Sequence, residues 1–429
     1  MQNDFLDRAG FEALQKEGLL HSVKYAYSNS PFYRSLFDRA GLKPEDVEEP
    51  ASYSKVPFTT KSDLRGAYPY GMAAVPLEQI VRIHASSGTT GKPIVAGYTR
   101  RDLDDWANAV ARICEMAGVS AKDIVQISFG YGLFTGGFGL HYGMERLGAT
   151  VVPFSSGNTE RQLALMKDFQ TGVLVSTPSF ALYMAETAIE LGYHPADFGL
   201  RVGLFGGEPC SDALREEIER HWGLKATVNY GLTEVVGPGI AGECEYRGGM
   251  HILEDVYYPE IIDPLSGEVL ADGETGELVL TPLYKEGFPV LRYRTGDITR
   301  LNSEPCPCGR TTRRIDYIAG RSDDMIIIKG VNIFPSQIEE VLAGFREVSP
   351  HYMLVLQKQK GFIKDLEIQV ELTPEGFSDS YKELEALESR IRRHLRSTLS
   401  LAPRIKLLEP KSLERSTGKT KRITIRETD

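Results

Sequence analysis

Eight consecutive residues, Ser86-Ser87-Gly88-Thr89-Thr90-Gly91-Lys92-Pro93, hold four hydroxyls, two glycines and one lysine. Glycine backbone lets N–H groups turn toward an anion, hydroxyls donate to phosphate oxygens, and a lysine adds a cation. The chemistry this composition suits is the holding of a triphosphate. The run is not a Walker loop, which puts four residues between its glycines and Ser or Thr after its lysine. Here two residues separate Gly88 from Gly91, and Pro93 follows Lys92. Taken alone, the run also reads as a polar hairpin turn, because Val81–His84 before it and Pro93–Val95 after it are strand-like.

A second constellation is Cys244, His251, Cys306 and Cys308. Cys244 and His251 have six residues between them, and Cys306-Pro307-Cys308 is a tight knuckle. Thiolates with an imidazole, four ligands in all, suit tetrahedral Zn²⁺. Such a site is structural, since protein fills every ligand position. The C-x-C spacing is less usual than C-x-x-C, and four unrelated residues, with His251 opening a strand, is the other reading. Cys114 and Cys210 read as small packing residues.

The elements that must position these groups are legible in outline. A helix is expected over Phe11 to Asn29. From Val81 to about Tyr230, apolar runs such as Ile124–Ile127, Ala149–Val152, Val173–Val175 and Val202–Phe205 alternate with helical patterns such as Arg101–Ala117 and Arg161–Phe169. That alternation implies βαβ units and a mainly parallel sheet. From His251 to about Tyr317, strand-like runs (Gly276–Leu280, Val290–Tyr293) follow one another without helices, so a β-rich subdomain is expected at about 240–320. After Gly320 a small α+β module is expected, with a strand at Met325–Ile328, a helix opening near Pro335, strands near Tyr352 and Glu367, and a charged helix from Ser380 to Arg396.

Bulk properties bound the function. A chain of 429 residues carries 49 basic and 59 acidic side chains, a net −10, with no long basic run, which argues against nucleic acid as a partner. No apolar stretch reaches the ~18 residues of a membrane span. The polar start, Met1-Gln2-Asn3-Asp4-Phe5, lacks the form of a leader. A soluble cytoplasmic protein is therefore expected, and there metal ligation is favoured over disulfides for the five cysteines.

Further segments fall into order along the chain: Gly206-Gly207-Glu208-Pro209, Tyr230-Gly231-Leu232-Thr233-Glu234, Tyr293-Arg294-Thr295-Gly296-Asp297, Gly320-Arg321-Ser322-Asp323-Asp324 and Ser416-Thr417-Gly418-Lys419. With the opening loop, this set resembles the adenylate-forming superfamily. Within it, Ile327–Gln337 and Ser349-Pro350-His351-Tyr352 resemble the phenylacetate–CoA ligase family, and the likeness covers essentially the whole chain.

The resemblance implies a large N-terminal adenylation domain (1–322) and a small mobile C-terminal lid (323–429). It implies ATP, Mg²⁺ and coenzyme A as reactants and cofactor, an aromatic acid as substrate, and a homodimer as a possible assembly. Ser86, Ser87, Gly88, Thr89, Thr90, Gly91 and Lys92 would hold the β- and γ-phosphates. Thr233 would reach the α-phosphate, and Glu234 would bind Mg²⁺. Gly206, Gly207 and Glu208 would flank adenine, with Tyr230 and Gly231 beside the nucleotide. Asp297 would accept from the ribose hydroxyls, or else pair with Arg292, Arg294 or Arg300. Arg321 would lie near ribose or phosphate. Lys419 would cross to the carboxylate and α-phosphate, or else be a solvated lysine among Lys411, Lys421 and Arg422. Asp323 would be the hinge.

By resemblance Tyr131 and Phe134 would line an aryl pocket, Phe205 and Tyr230 being weaker candidates, with Gly136, Gly137 and Gly139 leaving room for a ring; aromatic core packing is the equal other reading of each aromatic. The reaction implied is ligation of phenylacetate or a close analogue to coenzyme A through acyl-AMP. Two alternatives stand beside it: an adenylating enzyme with another acceptor, and a non-catalytic homologue, which the presence of Glu234 and Lys419 opposes.

Overall fold

The computed structural model describes residues 3–48, 50–86, 92–322, 326–328, 331–333, 335–359, 362–378, 380–399, 401–414 and 422–427. A nine-stranded sheet organises the larger part. Its order is Leu301–Asn302, Arg314–Ile315, Met250–Ile252, Gly237–Gly242, Lys225–Leu232, Val202–Phe205, Val173–Ser176, Ile124–Ile127 and Thr150–Val152. The last five of these are mutually parallel. Val173–Ser176 and Val202–Phe205 are buried along their whole length, as strands covered by helices on both faces must be.

The helices begin where the sequence offers caps. Thr99 and Asp102 form a reciprocal capping box at the start of Arg100–Met116. Thr177 caps Pro178–Glu190, with proline in its first turn, and Ser211 caps Asp212–Trp222. Helices Arg100–Met116 and Thr135–Leu147 lie unusually close. A Cβ on Gly139 would stand 2.4 Å from Trp106, and one on Gly143 would stand 2.3 Å from Val110. Gly139 therefore serves helix packing, and the ring space expected of it is filled by Trp106 and Pro238. Gly137 likewise would meet the Gly130 carbonyl at 2.8 Å.

The β-rich stretch is shared between two sheets. Gly237–Gly242, Met250–Ile252, Arg314–Ile315 and Leu301–Asn302 extend the main sheet in antiparallel fashion. Tyr257–Ile262, Gly276–Pro282, Tyr293–Thr299 and Gly320–Arg321 make a separate antiparallel sheet. The strand expected at Val290–Tyr293 starts only at Tyr293, because Arg292 has φ of 45° and leaves the extended conformation. Its guanidinium is buried against Glu260 (2.9 Å). The strand expected at Pro93–Val95 is likewise Val95–Tyr98.

The C-terminal part has its own core of Ile338, Leu354, Ile368, Ile391 and Leu395. The hairpin of Val348–Gln359 and Phe362–Leu372 is flanked in parallel by Ile423–Glu427 and Arg404–Leu408, and helices Pro335–Ala343 and Tyr381–Leu399 pack on it. Contacts with the larger part include Lys411 paired with Glu190 and His351 Nε2 3.6 Å from Glu186. Among the described residues no helix is long and apolar enough to cross a membrane.

Candidate active site

The five parallel strands point their C-terminal ends the same way, and open α/β sheets bind ligands outside those ends. Phe129–Phe134 follows Ile124–Ile127, Gly206–Glu208 follows Val202–Phe205, and Thr233–Glu234 follows Lys225–Leu232. Local bonds lock these loops together. Ser128 N donates to the Val175 carbonyl (2.8 Å), and the Ala85 N donates to the Leu133 carbonyl (2.9 Å). Ala85 ends the strand that leads into the hydroxyl-rich loop, so the loop and the Phe129–Phe134 segment are joined. Within the loop, Ser86 is described: its Oγ accepts from Ile94 N (3.1 Å). Ser87, Gly88, Thr89, Thr90 and Gly91 lie outside the described residues, as do Asp323 and Lys419. Lys92 is exposed, and its Nζ sits 5.5 Å above the Tyr68 ring.

Gly206 and Gly207 differ in purpose. A Cβ on Gly206 would stand 2.7 Å from the Asn229 carbonyl, so its missing side chain admits the neighbouring strand. Gly207 has φ of 82° and opens toward Phe129, 3.5 Å from where a Cβ would be. Glu208 accepts from the Ser179 N–H (2.7 Å) at the start of helix Pro178–Glu190. Phe205, by contrast, is fully buried in the core cluster around Leu174 and Phe180 and is no pocket residue.

Thr233 is buried with its hydroxyl 3.1 Å from that of Thr135, and Glu234 beside it is partly exposed. Gly231 is required by close approach: a Cβ there would be 2.1 Å from the Gly237 carbonyl.

Asp297, 5 % exposed, is bound from two sheets. Tyr230 Oη donates to its Oδ2 (2.5 Å), and Arg321 Nη1 donates to its Oδ1 (2.6 Å). Burial and then the Asp297 charge hold the Tyr230 phenol well above its ordinary pKa, so it stays a donor. None of the arginines adjacent in sequence is the partner. Arg292 binds Glu260, Arg294 binds Glu277, and Arg300 binds Asp316.

Tyr131 is half-buried, its hydroxyl 3.1 Å from His141 Nδ1 and its ring edge-on to Phe138. Phe134 is 37 % exposed at the start of helix Thr135–Leu147. Sequence reasoning missed Thr135, His141, Tyr98, Trp106 and Lys285, all of which pack behind these loops. The signal available was Trp106, one of two tryptophans in the chain.

Cys244, His251, Cys306 and Cys308 converge: one ligand atom from each lies within 4.8 Å of all the others. Cys244 Sγ is 3.6 Å from Cys306 Sγ, and Cys308 Sγ is 3.4 Å from His251 Nε2. A disulfide would need ~2.05 Å, whereas a tetrahedron built on ~2.3 Å bonds has edges near ~3.8 Å. The ring orientation also fits: His251 Nδ1 lies 2.9 Å from Thr312 Oγ1 and 3.2 Å from its carbonyl, leaving Nε2 to face the thiols. Burial lowers the His251 pKa to about 4, so the imidazole is neutral. Cys114 is buried in the core, as expected of a packing residue.

Comparison with known proteins accords with this geometry. Residues 21–281 match the AMP-binding enzyme family, and residues 330–426 match the AMP-binding enzyme C-terminal domain. The phenylacetate–coenzyme A ligase of Escherichia coli (strain K12) is 49% identical over 414 residues, 96% of this chain and 94% of that protein. Among solved structures, 2-hydroxyisobutyryl-CoA ligase in its postadenylation state with 2-HIB-AMP superimposes with a TM-score of 0.93 at 28% identity, over 99% of this chain and 91% of that one. The same enzyme in its thioesterification state, with 2-HIB-AMP and CoA, gives 0.74 over 99% and 92%. The chain belongs to the phenylacetate–coenzyme A ligase family of AMP-binding enzymes.

Proposed function

We propose that the protein joins phenylacetate or a close aromatic acid to coenzyme A through an acyl-AMP intermediate, releasing AMP and pyrophosphate. The observation that carries this reading is the gathering of Ser86, Gly207, Thr233–Glu234 and the Tyr230–Asp297–Arg321 cluster at one end of the parallel strands, in a chain of this family.

A carboxylate is a poor electrophile because its leaving group is oxide. Transfer of AMP supplies a better one, and a thiol can then attack. The protein's task is to bring two anions together and to neutralise charge at the α-phosphate. In this reading Asp297, already oriented by two donors, turns its remaining lone pairs to the ribose hydroxyls. Thr233, steadied by Thr135, donates to the α-phosphate. Gly207 lets adenine approach backbone, and Tyr131 and Phe134 border the acid. Glu234 is a fitting Mg²⁺ ligand, and that ion supplies charge neutralisation on the phosphates when bound. Lys419 approaches the carboxylate from the C-terminal part, with Asp323 at the hinge, dividing the chain at 322/323.

Cys244, His251, Cys306 and Cys308 hold a structural Zn²⁺ in this reading, the edge lengths and the Thr312 contact supporting it. A cytoplasmic homodimer completes it. The test is release of AMP over a panel of aromatic acids with and without coenzyme A. CoA-dependent turnover with phenylacetate is expected. Acid-dependent pyrophosphate exchange with no thioester formed points instead to another acceptor.

A further inference from the structure

The turn that carries Thr233 and Glu234, with the start of the strand Gly237–Gly242 that follows it, is held from behind by three buried donors. Trp106 Nε1 donates to the Pro238 carbonyl (2.7 Å), Tyr98 Oη to the Val236 carbonyl (2.7 Å), and Lys285 Nζ to the Val235 carbonyl. Their exposures are 3 %, 0 % and 8 %. The Tyr98 and Trp106 rings stack at 5.2 Å, and the Lys285 ammonium lies 5.1 Å from the Tyr98 centroid. The segment bearing Lys285 is itself pinned. Asp102 accepts from the Glu286 and Gly287 N–H groups (2.7 and 2.8 Å) while closing the capping box with Thr99. Tyr98 ends the strand that emerges from the hydroxyl-rich loop, so this scaffold joins both phosphate-facing segments.

Lys285 makes no ion pair among the described residues, the charges acting on it being Asp102 and Glu234. A buried ammonium without an ion partner is costly. The carbonyl alone does not call for it, since neutral donors satisfy the two neighbouring carbonyls. What a lysine adds is charge, set directly behind the turn that must meet Mg·ATP. We propose that Lys285 is a positioning residue for the ATP-dependent half-reaction. Its ammonium fixes the Thr233–Glu234 turn through Val235 and offsets the negative charge that gathers there. This rests on the reading of Thr233 and Glu234 given above.

The experiment compares Lys285→Gln, which keeps an N–H donor without charge, and Lys285→Met, which keeps neither, with the full-length wild type. Acid-dependent ATP–pyrophosphate exchange is expected to fall about tenfold or more in both variants, with a higher Mg²⁺ concentration for half-activation. Thioester formation from synthetic phenylacetyl-AMP and coenzyme A, which needs no Mg·ATP, is expected within about twofold of wild type. Equal loss of both half-reactions, or loss of neither, overturns the proposal. Should both lysine variants fail to fold, Tyr98→Phe removes one hydroxyl from the same scaffold. It is expected to show the same split in smaller degree, and its absence there also overturns the proposal. A wild type that shows no acid-dependent exchange defeats the reading of the site itself, whereas exchange retained in the variants defeats only the role of Lys285.

Discussion

Asp297 sits within a few residues of three arginines, yet its carboxylate is bound by Arg321 and Tyr230. The arginines nearer in sequence are consumed by carboxylates of their own, and Asp297 is 5 % exposed with Tyr230 and Arg321 donating to it. Asp297→Asn keeps the shape and removes the charge. Charge-assisted bonds exceed neutral ones by about 1 kcal/mol or more. The KM for ATP in AMP release is expected to rise about tenfold, with the thermal midpoint little changed. An unaltered KM would separate Asp297 from the nucleotide.

Lys285 gives a second expectation at the same scale. Burial, opposed by Asp102 and Glu234, lowers its pKa from 10.5 to about 8. Between those values the folded protein has lost the proton and the unfolded chain keeps it. The unfolded state then binds more protons, so stability rises with pH across this window. Denaturant midpoints of wild type relative to Lys285→Met are expected to increase between about pH 7.5 and about pH 9.5. A flat or falling difference would contradict a buried ammonium.

At the scale of elements, Cys244, His251, Cys306 and Cys308 gather where three short strands meet. Met250–Ile252, Arg314–Ile315 and Leu301–Asn302 are three, two and two residues long. His251 pairs in register with Arg314 on one side and Gly242 on the other, and the Cys306–Cys308 knuckle lies in the loop between the two shortest strands. A metal there ties the edge of the main sheet to that loop. The doubly substituted Cys306→Ser/Cys308→Ser protein is expected to lose about one equivalent of zinc and several degrees of thermal stability, measured by metal analysis and calorimetry. Wild-type protein that is zinc-free and equally stable would remove the site.

At the scale of the whole molecule, the solved structures of 2-hydroxyisobutyryl-CoA ligase supply a comparison in two states. At one and the same identity, superposition is better with the postadenylation form of 2-hydroxyisobutyryl-CoA ligase than with its thioesterification form, 0.93 against 0.74. The Lys411–Glu190 and His351–Glu186 contacts belong to the arrangement described here, and a rotation of the lid would exchange them for others. If Lys419 serves only the first arrangement, Lys419→Ala loses acid-dependent pyrophosphate exchange by about a hundredfold or more, yet still converts synthetic acyl-AMP and coenzyme A to thioester. Equal loss of both half-reactions would mean that one arrangement serves both steps.

The alternation of apolar runs with helical periods sufficed for the parallel half of the sheet. Buried parallel strands and their caps are local features, written into contiguous residues. Gly206–Glu208 and Thr233–Glu234 are singled out by resemblance and the hydroxyl-rich loop by its composition; the structure sets the first two directly after the strands Val202–Phe205 and Lys225–Leu232. Chain order could not choose Arg321 over Arg292, Arg294 or Arg300. That choice belongs to sheet register, which sets Asp297 opposite Arg321. Nor could it bring Lys285, Tyr98 and Trp106 behind one turn, across separations of 50, 138 and 132 residues. Those contacts exist only once the sheet and its helices have packed, because a backbone carbonyl carries no mark in the sequence of which distant donor will satisfy it.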